Sequence, residues 1–223
     1  MKSELLKNTE MVSHLTLIVM AAVYMLRIFW LLKFKSRNEL QAPTGRRGTS
    51  SRRGILFSLM LIFMPWVMES SRKNIFRYLE FVMLHLGIAA VIVFSFIFSY
   101  ALPLVENLVF RYCFIVLAWG AFVAGMIRVI RRLSSRTNRA VSTPDDYFSI
   151  CTLIIWLFFA GLAALYPSGS GEWHLITYYG LTAFLILYVP FSKISHYLYY
   201  PFTMYYFGKT MGRRGVYPFK RSR

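Results

Sequence analysis

Acidic residues are scarce in this chain: nine Asp and Glu stand against 26 Lys and Arg in 223 residues. Charge of either sign is thin as well, at 16%, where a soluble domain averages about 25%. That shortage, beside 57% hydrophobic residues, excludes an ordinary soluble domain and indicates an integral membrane protein. Cysteine is almost absent. Cys113 and Cys151 both lie inside apolar runs and in no C-x-x-C pair, so the chain offers no iron–sulfur or zinc site of its own and no disulfide is argued. The formal net charge of +17 does not point to nucleic acid, because the basic residues fall in blocks between apolar runs, as the positive-inside rule describes. No A-x-A-like site follows the first apolar run, which is also longer than a signal's apolar core, so it is expected to stay as a membrane anchor.

What remains is a series of long apolar runs. A hydrocarbon core of ~30 Å needs about 20 residues of helix, and five runs meet that length: residues 12–33, 76–102, 110–130, 147–166 and 173–200. A basic loop, 34–53, follows the first. Residues 54–68 are apolar but short, with Pro65 near their end, and read as an amphipathic helix at the membrane interface with Trp66 at headgroup depth. A crossing there would strand either Arg46–Arg53 or Arg72–Arg77 on the wrong side. Ser142-Thr143-Pro144-Asp145-Asp146 carries the cap, proline and acids of a helix start. Residues 209–223 form a basic tail. Ten, five and seven of the 26 basic residues lie in 33–77, 128–139 and 193–223. That asymmetry sets the N-terminus outside and the C-terminus inside, with residues 1–223 as a single all-α membrane domain.

Four histidines punctuate this apolar chain: His14, His85, His174 and His196. Ionisable groups inside a membrane are functional candidates by default. At a rise of ~1.5 Å per residue, His85 lies ~12 Å along the second helix from Arg77. His196 comes at the inner end of the fifth, where tilt or a kink at Pro190 draws it deeper. One His from each of two helices is the arrangement a b-type haem needs. His14 and His174 read as interfacial polar residues on the other side. Glu80 reads as an interfacial acid paired with a nearby base, with a proton-carrying role as the alternative, and Arg27 as a residue that snorkels to the headgroups.

The stretch Pro190-Phe-Ser-Lys-Ile-Ser-His196, followed by Tyr-Leu-Tyr-Tyr-Pro201-Phe202-Thr203, resembles the last helix of a known family. That family is the cytochrome b (gamma) subunit of respiratory nitrate reductase, with the related membrane subunits of sulfate reducers' transmembrane electron-transfer complexes. Leu84-His85-Leu-Gly87-Ile88 is similar to its haem-ligand helix, and Arg131-Arg132 through Tyr147 to its inner loop and fourth-helix start. The resemblance covers roughly residues 50–210.

The resemblance implies haem b held between His85 and His196 as axial iron ligands. It implies quinone as electron donor or acceptor, and iron–sulfur and other redox subunits as partners at the cytoplasmic face of a prokaryotic inner membrane. The family's second, outer haem takes ligands at positions that are Ser95 and Tyr178 here. Neither suits, so one haem is expected rather than two. Arg72, Lys73, Arg77 and Lys193 are placed to meet haem propionates or a quinone oxygen, the alternative being the ordinary basic rim of a membrane protein. The expected role is non-catalytic electron transfer. The competing reading is a structural anchor for partner subunits. A transporter lacks support, since no inverted repeat is visible.

Overall fold

Each long apolar run folds as a helix, because a chain in hydrocarbon has to satisfy its own backbone hydrogen bonds. The computed structural model describes residues 3–34, 42–43, 45–167 and 171–218. Among these residues there are ten α-helices and no strand: α1 (Glu4–Lys33), α2 (Ser51–Met60), α3 (Glu69–Lys73), α4 (Ile75–Tyr100), α5 (Leu102–Glu106), α6 (Leu108–Ser134), α7 (Arg136–Ala140), α8 (Pro144–Leu165), α9 (Trp173–Tyr188) and α10 (His196–Arg213). Five helical stretches, namely α1, α4, α6, α8 and Trp173–Phe191, are long and apolar enough to cross a membrane. This is the build of a multi-pass membrane protein. Of the basic loop and tail read from the sequence, residues 35–41, 44 and 219–223 lie outside the described residues.

The helices outrun the apolar windows that announced them. α1 begins eight residues before the expected position 12: Ser3 Oγ accepts from the Leu6 N–H at 3.2 Å, and the backbone N–H of Ser3 donates to the Glu172 carboxylate at 3.0 Å. α8 starts on the expected signal, with Thr143 and Asp146 forming a reciprocal capping box and Pro144 in the first turn.

The expected fifth helix does not run unbroken to residue 200. It stops at Tyr188, passes through 3-10 turns at Val189–Phe191 and Lys193–Ser195, and resumes as α10 at His196. Pro190 has no N–H and its ring collides with the carbonyl one turn back. Ser192 then turns extended, and its hydroxyl donates to Val189 O (3.1 Å) and accepts from Ile194 N–H (3.2 Å). The short helix expected over 54–68 also shifts. Ser50 caps α2, accepting from Arg53 N–H at 3.3 Å. The helix tightens to a 3-10 turn at Leu61–Phe63, just before Pro65.

The chain divides into two units. The first comprises Met1–Val23 and Leu79–Ile194. Its core is built from small residues where backbones approach and from rings elsewhere. Ala118, Ala121, Ala124 and Gly125 form a buried stripe on α6. Gly87 of α4 faces that stripe: a Cβ there would lie 2.5 Å from Leu117 O. Such small-residue seams are how membrane helices gain close contact without a hydrophobic driving force between them. Phe94, Phe98, Leu157, Tyr178 and Tyr179 fill the space beyond.

The second unit comprises Tyr24–Tyr78 and Ser195–Arg223. Here α2 lies directly on α10. A Cβ added to Gly54 would stand 2.5 Å from Gly212 Cα, and one on Gly208 would stand 2.6 Å from Gly54 O. Ser58, fully buried, donates to Met204 Sδ at 3.4 Å. Tyr217 closes the pair, its ring meeting Phe57 (5.0 Å) and Phe207 (5.6 Å). Burial pushes its phenol pKa up. Gly45 N–H donates to Arg214 O (3.0 Å), beside Gly215, whose φ of +80° needs glycine.

Candidate functional site

His85 sits on α4 between Leu84 and Leu86, half-buried. Its Nδ1 lies 2.7 Å from the carbonyl oxygen of Phe81, one turn back, and the Phe81 ring flanks it at 4.1 Å. A carbonyl only accepts, so Nδ1 carries the proton and the lone pair of the neutral ring is on Nε2. Metal-binding histidines are commonly oriented in this way, by a backbone carbonyl on the other nitrogen.

The other sequence-derived site residues divide between the units. Lys193 is in the first unit with His85, whereas His196, Arg72 and Arg77 are in the second. His196 is exposed and opens α10. Arg72 lies in the last turn of α3, Arg77 lies in the first turn of α4, and both are exposed. The structure ties Lys193 to the start of α8. Its ammonium donates to Thr143 Oγ1 (2.8 Å) and Asp146 Oδ2 (2.9 Å), and its backbone N–H to Asp145 Oδ2 (3.2 Å).

Asp146 therefore serves twice, as capping residue and as ion partner, with Arg132 also 3.6 Å away. Glu80 is bound by Arg131 through both guanidinium nitrogens, one at 3.0 Å, and by Arg128 at 3.6 Å. Its side chain is only 9% exposed. The pairing reading describes its place in the structure. The proton-carrying alternative would require the double clamp to open.

At the level of Ser95 and Tyr178, α4 and α9 touch directly. The Tyr178 hydroxyl donates to Val91 O at 2.8 Å and that of Tyr179 to Ser95 O at 3.0 Å. Tyr178 is wholly buried, its ring 6.2 Å from Phe94 and near-parallel to Trp156 at 6.3 Å. Trp156 Nε1 donates to Thr182 Oγ1 at 2.8 Å. Protein side chains thus occupy this level from both helices. Ser95 Oγ is spent on Ile92 O of its own helix (2.7 Å).

His174 is buried, with Nε2 2.7 Å from Tyr166 O, and Arg27 donates to Tyr199 OH at 3.1 Å. His14 has a different setting. It lies half-buried on α1 against Tyr100 (5.3 Å) and Phe96 (6.0 Å) and lines an open groove with Lys7 and Glu10. The sequence reading grouped His14 with His174 and not with Lys7 and Glu10. The signal was its spacing: residues 7, 10 and 14 fall on one helix face. Compared with protein-family models, curated proteins and solved structures, the chain matches none of them.

Proposed function

We propose that this chain is a haem b-binding membrane subunit of a respiratory oxidoreductase. It would pass electrons between the quinone pool and iron–sulfur partners on the cytoplasmic side. The reading rests on the family resemblance around His85 and His196 and on one observation above all: the Phe81 carbonyl accepts from His85 Nδ1–H, which fixes the tautomer that would ligate through Nε2. His85 and His196 are the residues that would hold the haem, with Arg72 and Arg77 available to its carboxylates. When bound, haem b supplies a one-electron iron couple. The protein's part is to fix imidazole orientation, shield His85 with the Phe81 ring, and lock Glu80 between Arg131 and Arg128 near the start of the same helix.

One haem, not two, is the expected content. The tyrosine contacts from α9 to the main chain of α4 support that count. The positive-inside distribution supports an outside N-terminus, an inside C-terminus, and α2 lying at the inner interface, in a prokaryotic cytoplasmic membrane. The purified chain should bind close to one low-spin b-type haem by pyridine haemochrome assay. His85→Ala or His196→Ala should abolish the signal, and His174→Ala should leave it. Two haems would overturn the single-site reading.

The second reading, a structural anchor for redox subunits, is favoured by Lys193. The cation nearest His196 in sequence is engaged by Thr143 and Asp146. Absence of haem from protein made in haem-sufficient cells would select it.

A further inference from the structure

The first unit carries a groove of about 360 Å³ between α1 and the end of α4, lined on the α4 side by Ser99 and Tyr100. Along α1 the lining residues recur on one face, from Lys7 through Glu10 and His14 to Leu15 and Ile18. The twelve residues of helix from Lys7 to Ile18 span about 16 Å, and the chemistry changes along them. The first two turns are ionisable. The last is purely apolar.

The polar end is incompletely satisfied. Lys7 spends its backbone N–H on Ser3 O at 3.2 Å, while neither its ammonium nor the imidazole of His14 has a hydrogen-bond or ion-pair partner among the described residues. Glu10 lies near the Tyr179 hydroxyl, which donates to Ser95 O and meets Ser99 Oγ at 3.0 Å. Two donor side chains and one carboxylate within two turns match a ligand carrying both an anion and a cation. The apolar extension matches a chain attached to it. Because α1 is long and apolar enough to cross the membrane, such a ligand reaches the groove from the bilayer.

We propose that this groove is a binding site for one aminophospholipid of the phosphatidylethanolamine class. The phosphodiester accepts from Lys7 and His14, the primary ammonium donates to the Glu10 carboxylate, and an acyl chain lies over Leu15 and Ile18. The hydrogen-bonding ammonium is what separates this lipid from phosphatidylcholine, whose quaternary nitrogen has no N–H to give. The phosphodiester contacts alone would not distinguish it from phosphatidylglycerol.

The test is titration of the delipidated full chain in detergent with phosphatidylethanolamine, phosphatidylcholine and phosphatidylglycerol of matched acyl chains, read by native mass spectrometry. Phosphatidylethanolamine should bind at least about tenfold more tightly than either competitor, the worth of one charge-assisted hydrogen bond. Lys7→Ala and His14→Ala should weaken binding of all three lipids by a similar factor. Glu10→Gln should erase the preference over phosphatidylcholine, and Ile18→Trp should expel the lipid without touching a polar group. Unfolding midpoints in lipid-free detergent identify any variant that fails to fold, and His14→Ala and Ile18→Trp then carry the test. Equal binding of the three lipids, wild-type binding by both of those variants, or competition by a short-chain quinone would overturn the proposal.

Discussion

Two helix contacts, one from each unit, are held by opposite means. In the first, α4 and α9 meet through large side chains whose hydroxyls reach across to the main chain, as Tyr178 does to Val91 and Tyr179 to Ser95. In the second, α2 and α10 meet with almost no side chain between them, at Gly54, Gly208 and Gly212. The first contact depends on volume that is present and the second on volume that is missing. They should therefore fail under opposite kinds of substitution.

Tyr178→Ala should break the first contact most severely. It empties a fully buried ring site and should cost about 3–5 kcal/mol, the range for aromatic truncation in a core. Thermal unfolding in detergent measures this, and hydrogen exchange should show the loss along α4 and α9. Gly54→Ala adds a single methyl group, yet its Cβ would overlap the Gly208 carbonyl and crowd Gly212 Cα. Overpacking of this kind costs about 1–3 kcal/mol, and here backbone has to move rather than a flexible side chain. Exchange should quicken in α2 and α10 and stay unchanged in α6 and α8. A loss spread evenly over both units would undo the distinction between them. Tyr178→Phe sharpens it at the smallest scale. The ring stays and only the hydroxyl bond to Val91 O goes, so the loss should be about 1 kcal/mol. A larger loss would mean that the hydrogen bond, not the volume, holds α4 to α9.

Much of the helical layout was legible because hydrocarbon leaves few options. A run such as 147–166 can be buried in a membrane only as helix, and Thr143-Pro144-Asp145-Asp146 announces where it starts. The break after Tyr188 was legible too, in Pro190, but the weight of apolar residues on both sides favoured an unbroken reading. Proline's missing donor and ring clash decide the matter locally, whatever the hydropathy around it. The division into units was not legible. Two of its three boundaries run through the interior of α1 and α4, where no turn residue marks them, and the third falls in the break just before α10.

At the candidate site, His85 was picked out by residue type and depth, but its orientation depends on a carbonyl that every residue possesses, so no side-chain pattern encodes it. Lys193 shows the converse. The sequence placed a cation near His196, while its partners, Asp145 and Asp146, lie almost fifty residues earlier and were already explained as a helix start. One acid doing two jobs looks like one acid doing its commoner job.

The glycine contact also has a consequence in time. Gly54 and Gly208 are 154 residues apart in the chain, and synthesis at about 5–20 residues per second separates them by on the order of ten to thirty seconds. Through that interval α2 has been made and its partner has not. Its bare backbone face, cut to receive another helix and nothing bulkier, has to wait on the ribosome while four further apolar helices are laid down. Closing a loop of that length is among the last contacts the chain can make. A nascent chain ended anywhere before Gly208 therefore leaves the glycine face of α2 without the helix that packs on it.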